Sequence, residues 1–264
     1  MNLDLSGKTA MITGGSRGIG KSVAFSLAAE GVDIAICARE ERSLAKTSKD
    51  LSNAFGTNVY FQTADTRNTE SINDFVSATI NKLGKVDILI NNAAAPGGLV
   101  MGPLETADPE KLLDDLDTKV VGYLRASKAI APHMKRLGWG RIVNIGGLAA
   151  RSGGTISGMR NIALTHLTKT LSNELGPYGI NVNLVHPGAT RTERTQPLQQ
   201  EISENEGVNI DELEKRSSLG VDVRRMIDAS EVASLVTFLA SPLASAVTGE
   251  AIAAGGGVGP AVFQ

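Results

Sequence analysis

Short apolar runs alternate with longer amphipathic stretches along nearly the whole chain. Thr9-Ala10-Met11-Ile12 reads as a strand; a glycine turn follows, then a helix with Val23, Ala24, Leu27 and Ala28 on one face. Further strands are predicted over 32–38, 58–63, 86–90, 140–145 and 180–185, with a last short one over 250–254. Helices are predicted over 41–54, 69–83, 108–136, 156–175 and 230–239, the third opened by an Asp108 N-cap followed by Pro109. Strand and helix in alternation call for parallel strands joined by right-handed crossovers, with helices on both faces of one doubly wound sheet. No repeat or linker divides the chain, so 1–264 is expected to be a single α/β domain. Residues 197–228 are polar and read as irregular. The long connection over 190–228 exceeds ordinary loop lengths and is expected to act as a lid or substrate loop within the domain.

At 264 residues and 42% hydrophobic, the chain can bury a full core. A net charge of −2 without a basic cluster gives no support for a nucleic-acid or anionic-membrane surface. The N-terminal residues carry no signal-peptide pattern, and no apolar run reaches the length of a membrane span, so a soluble cytoplasmic protein is expected. The single Cys37 lies inside the apolar run 34–38 and is expected to be buried and inert. His133, His166 and His186 show neither triad nor metal-ligand spacing and are read as helix or loop residues; no metal is expected.

The turn after the first strand has the spacing Gly14-x-x-x-Gly18-x-Gly20. Glycines there let backbone approach a pyrophosphate, and the following helix N-terminus offers free N–H groups and a positive dipole end. Four companions lie further along: Asp65 after strand three, Asn91-Asn92-Ala93 after strand four, the 140–145 strand, and His186-Pro187-Gly188 after strand six. With Thr13–Gly20 they resemble the short-chain dehydrogenase/reductase family, over residues 5–257. The resemblance implies a Rossmann-type sheet of about seven strands in the order 3-2-1-4-5-6-7, a nicotinamide cofactor, and a homodimer or homotetramer packed through the 108–136 and 156–175 helices.

Carried over residue by residue, it assigns Gly14, Ser16, Arg17, Ile19 and Gly20, with Gly18 in the same turn, to the pyrophosphate and ribose. Asp65 goes to the adenine and Asn91 to the adenosine ribose, while Ala93 lies along the cofactor. Pro187, Gly188 and Thr190 go to the nicotinamide side. Strand two ends in Ala38-Arg39, without the acid that would bind both ribose hydroxyls. Arg39 and Arg17 are both placed to reach a 2′-phosphate, so NADP(H) is expected in preference to NAD(H).

The reaction side reads differently. Residues 144–161 contain no Tyr, Lys, His, Cys, Asp or Glu. The family resembled uses a Tyr, a Lys four residues later, a Ser on strand five and an Asn on the preceding helix. Leu167-Thr168-Lys169 and Asn173-Glu174-Leu175 set a register that places Ser157 at the Tyr position and Asn161 at the Lys position. Asn144-Ile145-Gly146-Gly147 places Gly147 at the Ser, and Gly122 places Lys119 at the Asn. Lys119 and Asn161 then form an inverted pair beside the nicotinamide ribose, with Lys119 supplying positive charge; the bland alternative makes Lys119 a surface helix residue. Ser157 has a hydroxyl but no neighbouring base, and Tyr123 is either a proton donor or a core aromatic. Ser152, Thr155, Arg151 and Arg160 are candidates for binding an acidic or polar substrate. Two functions follow: an NADP(H)-dependent oxidoreductase of a carbonyl or alcohol substrate with a non-standard active site, or a cofactor-holding pseudoenzyme or partner subunit. A family-derived lyase or dehalogenase fits poorly, because such enzymes abandon the glycine turn and keep a Tyr.

Overall fold

A computed structural model of the chain describes residues 2–95, 100, 103–153 and 155–259. Its centre is a parallel sheet of seven strands: β1 (Thr9–Thr13), β2 (Asp33–Ala38), β3 (Val59–Thr63), β4 (Ile88–Asn91), β5 (Gly140–Ile145), β6 (Ile180–Pro187) and β9 (Ala251–Ala254). Across the sheet they run β3-β2-β1-β4-β5-β6-β9, the expected order with β9 as the seventh strand. The helices are α1 (Gly18–Ala29), α2 (Glu41–Phe55), α3 (Thr69–Leu83), α4 (Pro109–Leu116), α5 (Gly122–Leu137), α6 (Gly158–Leu175), α7 (Thr195–Glu206), α8 (Ile210–Ser218) and α9 (Ala229–Ala240).

The unbroken apolar runs are explained by burial on both faces. Ala10, Ile12, Ile34, Ile36, Ile88 and Ile90 point to a core layer with Leu27, Leu44, Val232 and Val236, from α1, α2 and α9. Their neighbours Met11, Ala35, Cys37 and Leu89 point to the opposite layer, with Phe75, Ile130, Met134 and Leu171 from α3, α5 and α6. Each of the Ile, Leu, Val, Met and Phe side chains taken from water contributes about 1.5–3 kcal/mol. Cys37 is fully buried, which pushes its thiol up to about 12. It is therefore expected to resist thiol-modifying reagents in the native protein and to react at once after unfolding in denaturant, as a colorimetric thiol assay would show.

Two expectations are corrected. The helix read over 108–136 is broken by a π turn at Asp117–Val121, between α4 and α5. The polar segment read as irregular contains α7 and α8, and its ends are tied by the paired short strands β7 (Thr190–Arg191) and β8 (Ile227–Asp228). Among the described residues α7 buries no side chain and α8 only Leu213 and Ser218, so neither carries the apolar stripe by which helices are read. Polar contacts hold α8 instead: the Asn209 side chain accepts from Asp211 N, Arg191 pairs with Glu214, and Arg216 pairs with Glu206 at the end of α7.

Candidate active site

The crevice lies at the carboxyl ends of β1, β2, β4 and β5. The turn leaving β1 is held closely against its neighbours. Gly14 and Gly15 N–H groups donate to the Cys37 carbonyl at 2.8 and 3.2 Å, and Thr13 Oγ1 accepts from the Asn92 and Ala93 N–H groups. Gly14 has φ +67°, and a Cβ there would stand 2.9 Å from Ala93 Cα. On Gly20 it would stand 2.3 Å from Asn92 Nδ2, which donates to the Thr13 and Gly14 carbonyls. Glycine at these two positions is thus a steric requirement of a backbone cradle at the start of α1. Arg17, the N-cap of that helix, places no side-chain bond on its free N–H groups. The Gly18 N–H donates to Glu193 Oε1 at 2.8 Å.

A cavity of about 660 Å³ opens over this cradle. At one end it is lined by Arg17, Ala38, Arg39, Glu40 and Asp65, and toward the end of β5 by Lys119, Ile145, Gly146 and Arg160. Gly14, Ser16, Gly18, Ile19 and Ala93 line it between. Burial works to raise the Asp65 carboxyl, but hydrogen bonds from Arg67 and the charges of Arg67 and Arg39 outweigh it and hold the group below its ordinary value. Arg67 had no signature in the sequence, because it lies in an irregular turn.

Several expected residues stand elsewhere. Asn91 is fully buried and turned away from the cavity, its Nδ2 donating to Asn144 Oδ1 at 2.9 Å and Ser127 Oγ at 3.1 Å. The alternation of β4 sends Asn92 to the crevice instead, and Asn92 lines it. Pro187, Gly188 and Thr190 are not among the lining residues either; the chain beyond β7 supplies Thr192 and Arg194. Thr190 Oγ1 is turned back onto the Gly188 carbonyl at 3.0 Å.

At the reaction end, Lys119 sits in the π turn, where the extra residue alters the direction of the helix face. The ammonium donates to the Gly146 carbonyl at 2.8 Å, and the residue is 4% exposed, which rules out a surface role. Burial first, and then the charge of Arg160, lower its pKa to about 7, with Asp115 opposing. Arg160 and Asp115 form a buried ion pair beside it. Tyr123 is fully buried, its hydroxyl donating to the Ile145 carbonyl, and burial raises its pKa, so it is a core aromatic.

Ser157 and Asn161 are buried behind the cavity wall and do not line it. Ser157 Oγ accepts from the Val100 N–H at 2.6 Å, and Thr155 Oγ1 donates to the carbonyl of the same residue. Asn161 faces Gly147: a Cβ on Gly147 would lie 3.1 Å from Asn161 Nδ2. Asn161 Oδ1 has no hydrogen-bond partner among the described residues. Arg151 Nη2 donates to the Ala251 carbonyl, and Ser152 and Thr155 line a separate shallow hollow. Gly154, within the 144–161 stretch, lies outside the described residues. His186, read as a loop or helix residue, lies on β6, while His133 on α5 accepts from the Val86 N–H. Among the described residues no cluster of three His, Cys, Asp or Glu could hold a metal, and no helix is long and apolar enough to cross a membrane.

A seven-stranded parallel sheet, a glycine cradle at the first strand-to-helix turn and a cavity across the strand ends define a dinucleotide-binding α/β protein. A family model described as enoyl-(acyl carrier protein) reductase matches residues 14–259. The chain belongs to the short-chain dehydrogenase/reductase family. It is 34% identical over 262 residues to the 3-oxoacyl-(acyl-carrier-protein) reductase of Vibrio cholerae, covering 97% of this chain and 99% of that protein. Among solved structures, L-sorbose reductase of Gluconobacter frateurii complexed with NADPH and L-sorbose superposes with a TM-score of 0.92 at 27% identity, covering 98% of each chain. An actinorhodin polyketide ketoreductase variant with NADPH gives 0.87 at 33% identity, covering 95% of this chain and 97% of that one.

Proposed function

We propose that this protein is an NADP(H)-dependent oxidoreductase that interconverts a carbonyl and an alcohol, with Lys119 at the centre of a non-standard active site. The observation that carries the reading is one continuous cavity with Arg17 and Arg39 at one end, the glycine cradle in the middle and Lys119 at the other. The cradle fits a pyrophosphate, since Gly14 and Gly20 leave no room for a Cβ. Arg17 and Arg39 would bind a 2′-phosphate, the glycine turn the pyrophosphate, and Asp65 would border the adenine. The bound cofactor supplies or accepts the hydride. Lys119 Nζ, the one ammonium lining the cavity among the described residues, would hold the substrate oxygen and deliver its proton in reduction or take it in oxidation.

The positions where the family carries Ser, Tyr, Lys and Asn are assigned here to Gly147, Ser157, Asn161 and Lys119. That assignment also supports the second reading, a pseudoenzyme or partner subunit that holds the cofactor without turnover, because Ser157 Oγ is committed to the Val100 N–H. The two separate by titrating NADPH against the protein's fluorescence and then following NADPH oxidation with a 3-oxoacyl thioester and a ketose. Saturable binding with turnover supports the first reading, and tight binding without turnover on either class of carbonyl supports the second. Arg39→Glu is expected to weaken NADPH at least about tenfold relative to NADH, a loss of about 1.4 kcal/mol, measured as the ratio of the two Kd values. A homodimer or homotetramer is part of the same proposal. Exposed Val121 and Leu124 beside and on α5, and Met159 and Ile162 on α6, offer apolar surface for it, and light scattering on the eluting protein tests it.

A further inference from the structure

His186 is a buried imidazole that the proposed chemistry does not use, and every one of its polar atoms is engaged. It stands near the carboxyl end of β6, paired in register with Ala253 of β9, and is 1% exposed. Its Nδ1 lies 3.0 Å from the Gly147 N, and its Nε2 lies 3.2 Å from Thr165 Oγ1 on α6. An amide N–H only donates, so Nδ1 must present a lone pair. The Thr165 hydroxyl spends its single proton on the Asn161 carbonyl at 3.1 Å, so it accepts from Nε2–H. Two independent bonds therefore require the same neutral tautomer.

The ring also determines what stands above it. A Cβ on Gly146 would lie 2.4 Å from His186 Nδ1 and 2.7 Å from its Cε1, so residue 146 must be glycine for the imidazole to reach the Gly147 amide. Gly146 N donates to the Val185 carbonyl at 2.7 Å, and the Gly146 carbonyl accepts from Lys119 Nζ at 2.8 Å. The turn leaving β5 is thus gripped on one side by β6 and the imidazole and on the other by the ammonium. We propose that His186 is a positioning residue of the Lys119 site, a neutral imidazole carrying its proton on Nε2, whose Nδ1 holds the Gly147 N–H and so aims the Gly146 carbonyl at Lys119 Nζ. This rests on the reading of Lys119 as the group that handles the substrate oxygen.

The charged surroundings agree with a neutral ring. Burial comes first, followed by the positive charges of Arg151 from the turn after β5 and Lys119 from the π turn, and they push the imidazole down to about 4. From α6 it faces Thr165 and, through it, Asn161, both uncharged; from β9 it faces Ala253. The Arg160–Asp115 ion pair acts on Lys119. Protonation of Nδ1 would remove the acceptor for the Gly147 N–H, so the grip on the turn is kept at neutral pH and lost as the pH falls through about 4.

The test uses the full chain with 15N-labelled histidine, lysine and glycine, together with His186→Leu and His186→Asn. Asn can present an oxygen near the position of Nδ1, and Leu cannot. At pH 7 the His186 resonances are expected to report the Nε2–H tautomer. The Lys119 Nζ resonance and the Gly147 amide exchange rate should change in H186L and stay near wild type in H186N. With a 3-oxoacyl thioester or ketose as substrate, H186L is expected to lose at least about tenfold in kcat, with the NADPH Kd within about twofold, and H186N to recover most of the loss. A cationic or Nδ1–H imidazole at pH 7 would overturn the proposal, as would a Lys119 Nζ signal unmoved in H186L. Both of those readouts are independent of turnover. Failure of the Lys119 reading is recognised separately, by wild-type turnover in Lys119→Met.

Discussion

Lys119→Met is expected to lower kcat for carbonyl reduction at least about a hundredfold while leaving the NADPH Kd within about threefold. Methionine keeps the length and apolar stem of the side chain, so packing in the π turn survives and the ammonium alone is removed. The loss falls on kcat because the charge and the proton are needed as the substrate oxygen becomes an alkoxide. Steady-state kinetics alongside a fluorescence titration separate the two quantities. The sign of the pH dependence follows from the depressed pKa. In the proposed role Lys119 would donate a proton only below about 7, so reduction should fall as the pH rises through that value, and oxidation, which would need the free amine, should rise through it. The same depression bears on stability. Between about 7 and its ordinary value of 10.5, the folded amine binds fewer protons than the unfolded one, so stability should increase with pH across that window.

The second large effect concerns the pair beneath Lys119. Asp115 is 1% exposed and Arg160 7%, so Asp115→Ala leaves a guanidinium buried without its counterion. The cost is expected to be about 3–5 kcal/mol, read as a fall in Tm on the order of 10 °C. The double variant Asp115→Leu/Arg160→Met should regain most of that loss, because well-packed apolar side chains replace both charges. The two variants should also move Lys119 in opposite directions. Without Asp115 the unbalanced Arg160 depresses the ammonium further, so the pH midpoint of reduction falls; in the double variant the Arg160 repulsion is gone and the midpoint rises. Equal midpoints in the two variants would show that the pair does not act on Lys119.

Much of the architecture could be read along the chain because a parallel sheet buried on both faces writes its strands as apolar runs, as in Ile34-Ala35-Ile36-Cys37. The glycine cradle was legible for a related reason, since close backbone approach admits no Cβ at Gly14 or Gly20. Helices α7 and α8 carry no apolar stripe because they bury little; α8 is held by the Asn209 cap and by ion pairs, one of them to Glu206 at the end of α7. At the crevice, sequence spacing gave the neighbourhood but not the direction of side chains. Asn91 and Asn92 are adjacent on β4 and its continuation, yet pleating sends the first into the core beside Asn144 and the second to the cavity. Lys119 could be placed on its helix by the distance to Gly122, but its burial depends on a π turn that has no sequence signature. The engagement of Ser157 by Val100 joins residues 57 apart, and that of Gly147 by His186 joins residues 39 apart. Contacts at such separations exist only once the sheet has formed.

The central claim, that Lys119 is the proton-handling group of a reductase, is tested most directly by the pH profile of NADPH oxidation with a 3-oxoacyl thioester, run on wild type and Lys119→Met. A decline in kcat through about pH 7 that disappears in the variant along with most of the rate is the predicted result. The same decline persisting in Lys119→Met, at an undiminished rate, would contradict it.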